Sequence, residues 1–233
     1  MNADRQVTIR RFEPADRDAV RELCCDTGFL GQPIDPVFED RELFADYLTA
    51  YYTDWEPESS FVILVNGRLR GYLLGSRRPL RQQIYGFYQN LSLFLRGVLR
   101  YPRYSAESRK FIHWIIGSGW REVPATPRRT AHFHINLLAD ARQVATTKVL
   151  IQAYLDYLKE CGEKRVYGQI VVFESRRGAK MFERYGFKVI NRSEITKYRD
   201  VHPEPVYLCT VMKNLEADAA LVPEEATSAA HAA

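Results

Sequence analysis

The period of apolar and polar positions changes several times along the chain. VTIRRF (7–12) alternates over a short run and predicts a strand. Pro14 and Asp16 then open a helix, with Asp16 as its cap, Val20, Leu23, Cys24 and Thr27 at helical spacing, and Gly28 as its stop. A second helical period covers about 38–52, with Phe38, Leu43, Phe44, Tyr47, Leu48 and Tyr51 on its apolar side. In SFVILVNGRLRGYLLGS (60–76) two β-rich runs flank Asn66-Gly67, a dipeptide that supplies the positive φ angles of a tight hairpin turn.

Residues 79–129 are aromatic-rich and predict helices punctuated by Pro102, Pro124 and Pro127. The stretch is too long for a hairpin loop, so it reads as a helical insertion: a lid, a substrate wall or a dimer surface. AHFHINLL (131–138) reads as a strand with His132, His134 and Asn136 on one face and Phe133, Ile135 and Leu137 on the other. Residues 147–161 read as a helix whose polar stripe is Lys148, Gln152, Asp156 and Lys159. Leu150, Tyr154, Leu158 and Cys161 lie opposite, and Gly162 ends it. VYGQIVVF (166–173) is nearly continuous apolar, as in a strand buried on both faces. SRRGAKMFERY (175–185) predicts a helix with Gly178, Met181, Phe182 and Tyr185 facing inward. FKVI (187–190) and VYLCTVM (206–212) are closing strands, and the tail after Leu215 has too little to bury to be ordered. This order predicts one α/β domain over 1–215. Its mixed sheet has six to seven strands, antiparallel first and parallel in the middle, and is followed by a disordered 216–233.

Composition narrows the class. Of 233 residues, 46% are hydrophobic and 27% charged, which excludes a disordered chain and suits a sizeable core. The net charge of +4 suits an anionic ligand or an ordinary solvated surface, and no nucleic-acid motif accompanies it. Cys24, Cys25, Cys161 and Cys209 form no CxxC pair, so neither metal-ligand spacing nor a disulfide framework is expected. Reduced thiols in a cytoplasmic protein are the simplest reading. The amino terminus has no signal-peptide core, and no apolar run reaches membrane-spanning length.

Two stretches resemble the motifs of the GNAT acyltransferase superfamily. SRRGAKMFERYGF (175–187) resembles N-x-x-A-x-x-x-Y-x-x-x-G-F, and INLLADARQVATT (135–147) lies where that family has V-x-V-x-P-x-x-[QR]-x-x-G-x-[GA]. The element order from 7 to about 213 is similar too. The aromatic run from GYLLG (71–75) through LRYP (99–102) to AHFHINLL also resembles bacterial GNAT proteins that look like the acetyltransferase-like domain of some O-GlcNAc hydrolases.

The resemblance implies a single GNAT-like α/β domain that uses acetyl-CoA, with the helical insertion between hairpin and cofactor strand. Backbone amides at a helix start are unpaired donors at the positive end of the dipole, suited to a diphosphate. By resemblance these are the amides of Gln143, Val144, Ala145, Thr146, Thr147 and Lys148, with Arg142 leading them. Ala145 and Thr147 stand where the family has small residues, chiefly glycine, and Ala139 where it has proline. Their crowding predicts weakened rather than abolished binding, and Thr147→Gly is expected to tighten it. Leu137 and Leu138 fall where the family's cofactor strand bulges away from the next strand, with the Leu137 N–H nearest the acetyl oxygen. Phe182 replaces the motif tyrosine and cannot donate a proton; Ser175 replaces a common asparagine and still hydrogen-bonds. Tyr185 reads as a core aromatic.

His132 and His134 share a strand face and are either general bases or packed, hydrogen-bonded histidines. His113 reads as part of the insertion's core. Glu174 suits a helix start electrostatically. Arginines 68, 70, 77, 78, 81, 128 and 129 read as a solvated face or as a grip on an acidic substrate or the nucleotide 3′-phosphate. The implied reaction moves an acetyl group from acetyl-CoA to a primary amine, on a small molecule or peptide, by direct attack. The alternative is a catalytically silent GNAT-fold binding or scaffold module. Neither metal, nucleic acid nor membrane is expected, and the chain is expected to be a monomer or a homodimer.

Overall fold

A computed structural model describes residues 6–173 and 178–216. Asn66 and Gly67 hold φ angles of 51° and 74°, as a two-residue hairpin turn requires. They join β2 (Ser60–Val65) to β3 (Arg68–Ser76), and β1 (Val7–Arg11) lies antiparallel along the other side of β2. β4 (Ala131–Leu137) pairs antiparallel with β3, and β5 (Arg165–Val172) runs parallel to β4. β6 (Lys188–Glu194) and β7 (Tyr207–Asn214) form a hairpin whose second strand inserts beside β5. The sheet has seven strands in the order β1-β2-β3-β4-β5-β7-β6, so β1 and β6 are its edges. It is the mixed sheet the sequence predicts, with one parallel pair in the middle.

Helices cover both faces. On one, α1 (Arg17–Asp26) and α2 (Arg41–Ala50) pack Val20, Leu23 and Phe44 against Val62, Tyr72 and Leu74. The segment between β3 and β4 extends this layer through α3 (Pro79–Arg100), α4 (Ala106–Trp114) and the single turn α5 (Trp120–Glu122). On the other face α6 (Val144–Glu160) and α7 (Gly178–Arg184) bury Leu150, Tyr154 and Phe182 against Phe133. Gly162, at φ 77°, ends α6 with its N–H on the Lys159 carbonyl at 2.9 Å. Among the described residues no helix is long and apolar enough to cross a membrane.

Several local expectations are corrected. Asp16 does not cap α1; its carboxylate accepts from the Glu13 N–H (2.9 Å) and from the Arg10 guanidinium (2.7 and 2.9 Å), closing the turn before the helix. Gly28 is not a left-handed helix stop, a geometry found at Gly31 (φ 91°). Gly28 instead makes room, because a Cβ there would lie 2.6 Å from the Phe44 ring. α2 stops at Ala50 and the chain continues as a wider π-turn over Tyr51–Trp55; Tyr47, within α2, is exposed rather than in the core. His113 is exposed and bonds the Tyr101 hydroxyl at 2.9 Å instead of filling the insertion's interior. The expected disordered tail falls, from residue 217 onward, outside the described residues.

Candidate functional site

β4 and β5 pair only at Ala131↔Val166, His132↔Tyr167 and Phe133↔Gly168. Beyond that rung β4 continues along β3 as far as Leu137, while β5 continues along β7 as far as Val172. The two central strands therefore part from His134 and Gln169 onward. This is earlier than the expected bulge at Leu137–Leu138. The Leu138 N–H donates to the Arg70 carbonyl on the β3 side at 2.9 Å. Strand alternation then turns the N–H groups of Ile135 and Leu137 toward the opening.

α6 begins at the wide end of this opening, with Gln143 as its N-cap and no side chain capping it. Not all six expected amides are available. The Gln143 N–H bonds the Ala141 carbonyl (2.8 Å) and the Thr147 N–H bonds the Gln143 carbonyl (2.9 Å). Lys148, a turn further in, lies within the helical ladder. Val144, Ala145 and Thr146 form the first turn, whose N–H groups have no acceptor within the helix. These three amides are the donors the helix presents, with Arg142 and Lys148 exposed beside them.

Thr147 does not crowd them. Its hydroxyl donates to the Gln143 carbonyl at 2.9 Å and the residue is buried. Thr146 is buried as well, so of the first turn only Val144 and Ala145 show side chains at the surface. The steric reason for expecting Thr147→Gly to tighten binding is therefore absent. Arg142 acts as a clasp: its Nη2 donates to the carbonyls of Leu137 (3.0 Å) and Gly31 (3.4 Å). Tyr185 is more than a core aromatic, since its hydroxyl reaches the Val144 carbonyl at 3.2 Å. Phe182 is buried, stacked on Phe133 with ring centroids 6.2 Å apart, and forms the floor under the last β4–β5 rung. Ser175 and Glu174 lie outside the described residues.

The two strand histidines differ. His132 is buried with Nε2 2.9 Å from the Tyr52 hydroxyl, which also accepts from the Gln82 side chain at 3.2 Å. With Gln82 donating, the Tyr52 proton points to His132, so Nε2 is the acceptor and Nδ1 carries the hydrogen. His134 is the first β4 residue past the last rung, and its ring lies 5.5 Å from that of Tyr52. Burial pulls the pKa of His132 down to about 3 and that of His134 to about 4. Both are neutral at physiological pH and weak as bases. Asn136, next on the same face, donates to the Tyr72 hydroxyl at 2.9 Å.

Sequence reasoning passed over Tyr52 and Glu56. The Tyr51–Trp55 π-turn swings Tyr52 under β4 and sets up Glu56, fully buried, at its end. The Glu56 carboxylate accepts from the Tyr51 hydroxyl (2.6 Å), the Ser59 and Ser76 hydroxyls (2.8 Å each) and the Arg77 N–H (2.8 Å). No periodic signal in YYTDWE marks this, because the turn's spacing is neither helical nor extended.

The arginines divide. Arg70 pairs with Asp140 (2.6 Å), Arg77 donates to the Tyr157 hydroxyl (3.1 Å), Arg78 pairs with Glu58 (3.2 Å) and Arg81 lies over the Trp55 ring (5.5 Å). Arg68 is exposed at the hairpin turn. Arg128 and Arg129 precede β4, at the end of the strand away from α6. Among the described residues no group of three or more His, Cys, Asp or Glu is placed to hold a metal.

A seven-stranded mixed sheet flanked by helices matches the fold of the GNAT acetyltransferases. Among solved structures the chain is similar to SsHAT, at 26% identity and a TM-score of 0.63 over 90% of this chain and 98% of that one. It is also similar to an N-acetyltransferase from Staphylococcus aureus Mu50 (14%, TM-score 0.53, 90% and 99% covered). A third likeness is to yncA from Salmonella typhimurium, solved with its cofactor acetyl-CoA (14%, TM-score 0.50, 96% and 98% covered). At 14% identity the last two speak for the fold alone. No family profile matches the sequence, and no curated protein does.

Proposed function

We propose that this protein is an acyl-CoA-dependent N-acyltransferase that moves an acetyl group from acetyl-CoA to a primary amine by direct attack. The observation that carries this reading is the parting of β4 from β5 immediately beside the Val144–Thr146 amides. The donor set fits a diphosphate: three first-turn N–H groups at the positive end of a 17-residue helix, with Arg142 and Lys148 alongside. Acetyl-CoA, when bound, supplies an activated thioester carbonyl. The Leu137 N–H faces the opening and is the donor positioned to polarise that carbonyl. The Ile135 and Leu137 edge offers main-chain partners to an extended arm, as a strand edge does.

His134, neutral and at the mouth of the parting, accepts a hydrogen bond from the incoming amine and orients its lone pair. The low basicity of His134 means that the amine must arrive uncharged or pass its proton to water. His132 is held by Tyr52 and positions the strand rather than the proton. The C–S bond breaks as the C–N bond forms, and the proton that the attacking nitrogen sheds would pass through water to the departing thiolate, since Phe182 has no acidic hydrogen and the Tyr185 hydroxyl already donates to the Val144 carbonyl. The helical insertion between β3 and β4 supports grouping the protein with bacterial GNAT proteins that resemble the domain attached to some O-GlcNAc hydrolases.

A catalytically silent GNAT-fold module is the second reading, favoured by Phe182 and by two histidines of low basicity. Titration calorimetry with acetyl-CoA, followed by turnover on a panel of small and peptidyl amines, separates the two. Saturable binding with acetylated product supports the transferase. Saturable binding without product supports the silent module, and no heat at millimolar acetyl-CoA removes the CoA reading altogether.

A further inference from the structure

α3 is an inside-out helix. The face it lays on the domain is largely polar: Gln82 bonds Tyr52, Gln89 bonds the Asp46 carbonyl, Arg96 pairs with Asp46 and Arg100 with Asp40, with buried Leu93 and half-buried Tyr85, packed on Tyr51 and Trp55, as its apolar members. The face it turns to solvent is apolar. Leu80, Ile84, Phe87, Leu91, Phe94 and Val98 are each more than half exposed. Their spacing, four and three in alternation, is the seam repeat of a coiled coil, and a surface helix has no reason to keep it without a helical partner. Tyr88, Leu95 and Leu99 widen the stripe. At roughly 180 Å² for each full side chain, the nine present on the order of 1,000 Å² of apolar surface. A monomer's largest patch is about 300–600 Å², and one side of a standard interface is about 800 Å².

We infer that the occupant of this seam is α3 of a second copy, packed antiparallel across a two-fold axis that passes between Phe87 and Leu91, level with Gln89. The seam is self-complementary about that point. Leu80 falls opposite Val98 of the second copy, Ile84 opposite Phe94, and Phe87 opposite Leu91, so each layer joins unlike side chains that fill one another's gaps. The flanking positions agree. Gln83, Asn90 and Gly97 line one edge of the seam, Arg81, Tyr88 and Leu95 the other. In the antiparallel register Arg81 meets Leu95, and no like charges face each other. α3 has no acidic residue, and two of its three arginines are already paired with acids of the domain. The helix therefore lacks the free basic rim by which amphipathic helices lie on anionic membranes. Residues 217–233 contain only Leu221 and Val222 as large apolar side chains, too few for six layers.

The test is sedimentation velocity on the full chain across a micromolar concentration series. The expected result is a reversible dimer, with Leu91→Arg raising its dissociation constant ~30-fold or more, as for a central interface anchor, and leaving the far-ultraviolet circular dichroism of the folded chain unchanged. Mild oxidation is expected to cross-link Asn90→Cys, which meets its own copy at the axis. Gln83→Cys, two turns off the axis, and the unmodified chain are expected not to cross-link. A monomer throughout the series overturns the inference, and co-sedimentation of that monomer with phosphatidylserine vesicles reassigns the face to a membrane. A dimer that Leu91→Arg leaves intact, or cross-linking at Gln83→Cys in place of Asn90→Cys, overturns it as well.

Discussion

The ring of Phe133 lies against Gly168, where a Cβ would fall 3.0 Å from Cζ. These two residues form the last rung before β4 and β5 separate. Phe133 has nowhere to retreat, since Tyr154, Phe182 and Phe187 enclose it at centroid distances of 5.7, 6.2 and 5.8 Å. Gly168→Ala is therefore expected to destabilise the fold by about 1–3 kcal/mol, the cost of overpacking a filled core. Urea unfolding measures it; an unchanged midpoint would show that the ring can shift.

The helix-start reading has a direct test in Ala145→Pro. Proline is tolerated in a helix's first turn, and it removes one of the three presented N–H groups. Acetyl-CoA affinity should fall about tenfold, the scale of one charge-assisted hydrogen bond, with helix content by circular dichroism preserved. Thr147→Gly, in contrast, removes a buried side chain and places glycine inside α6. It should cost about 1–3 kcal/mol of stability and leave the affinity of the folded protein unimproved.

Acid should weaken the fold through the strand histidines. Both folded pKa values lie below the ordinary histidine value, at about 3 for His132 and about 4 for His134. As the pH drops through about 6.5 the unfolded chain takes up protons that the folded chain refuses, so stability is full above that value and declines below it. The decline continues until about pH 4 for His134 and about pH 3 for His132. The slope for buried His132 approaches about 1.4 kcal/mol per pH unit. His134→Gln should flatten the stability profile between pH 4 and 6; an unaltered slope would mean that His134 titrates normally.

Glu56 receives four donors and returns none. Glu56→Gln places an NH₂ group against hydroxyl and amide hydrogens, and should cost about 1–3 kcal/mol by stranding buried donors. Thermal unfolding reads this loss. Because Ser76 stands opposite His132 in the β3–β4 register, the damage should extend to the His132–Tyr52 contact, visible as a shift of the histidine resonances.

Local chemistry made much of the fold legible. Asn66-Gly67 could be read as a turn because few other dipeptides accept two positive φ angles, and Gly162 as a helix stop for the same reason. The faces of β4 followed from strict alternation. What resisted reading was decided by distant partners. Asp16 is drawn from its capping role by Arg10. Tyr47 fits a helical stripe, yet it lies on the exposed side of α2. Thr147 looked obstructive in a linear motif, but its side chain lies beneath the helix start. The closing hairpin was under-read, since β6 continues to Glu194 through exposed, mostly polar residues that carry no apolar period. The parting of β4 and β5 has no local signature, because it arises from which neighbour each strand follows.

The sheet's two margins are β1 and β6, and each carries basic side chains: Arg10 and Arg11 on one, Lys188 and Arg192 on the other. Bare strand borders invite ribbon-to-ribbon joining, and flanking cations oppose it by repulsion and by the cost of stripping their water. Growth of the sheet from one molecule into the next is disfavoured at both borders. The dimer inferred above uses the helical exterior instead, where an isologous contact closes on itself.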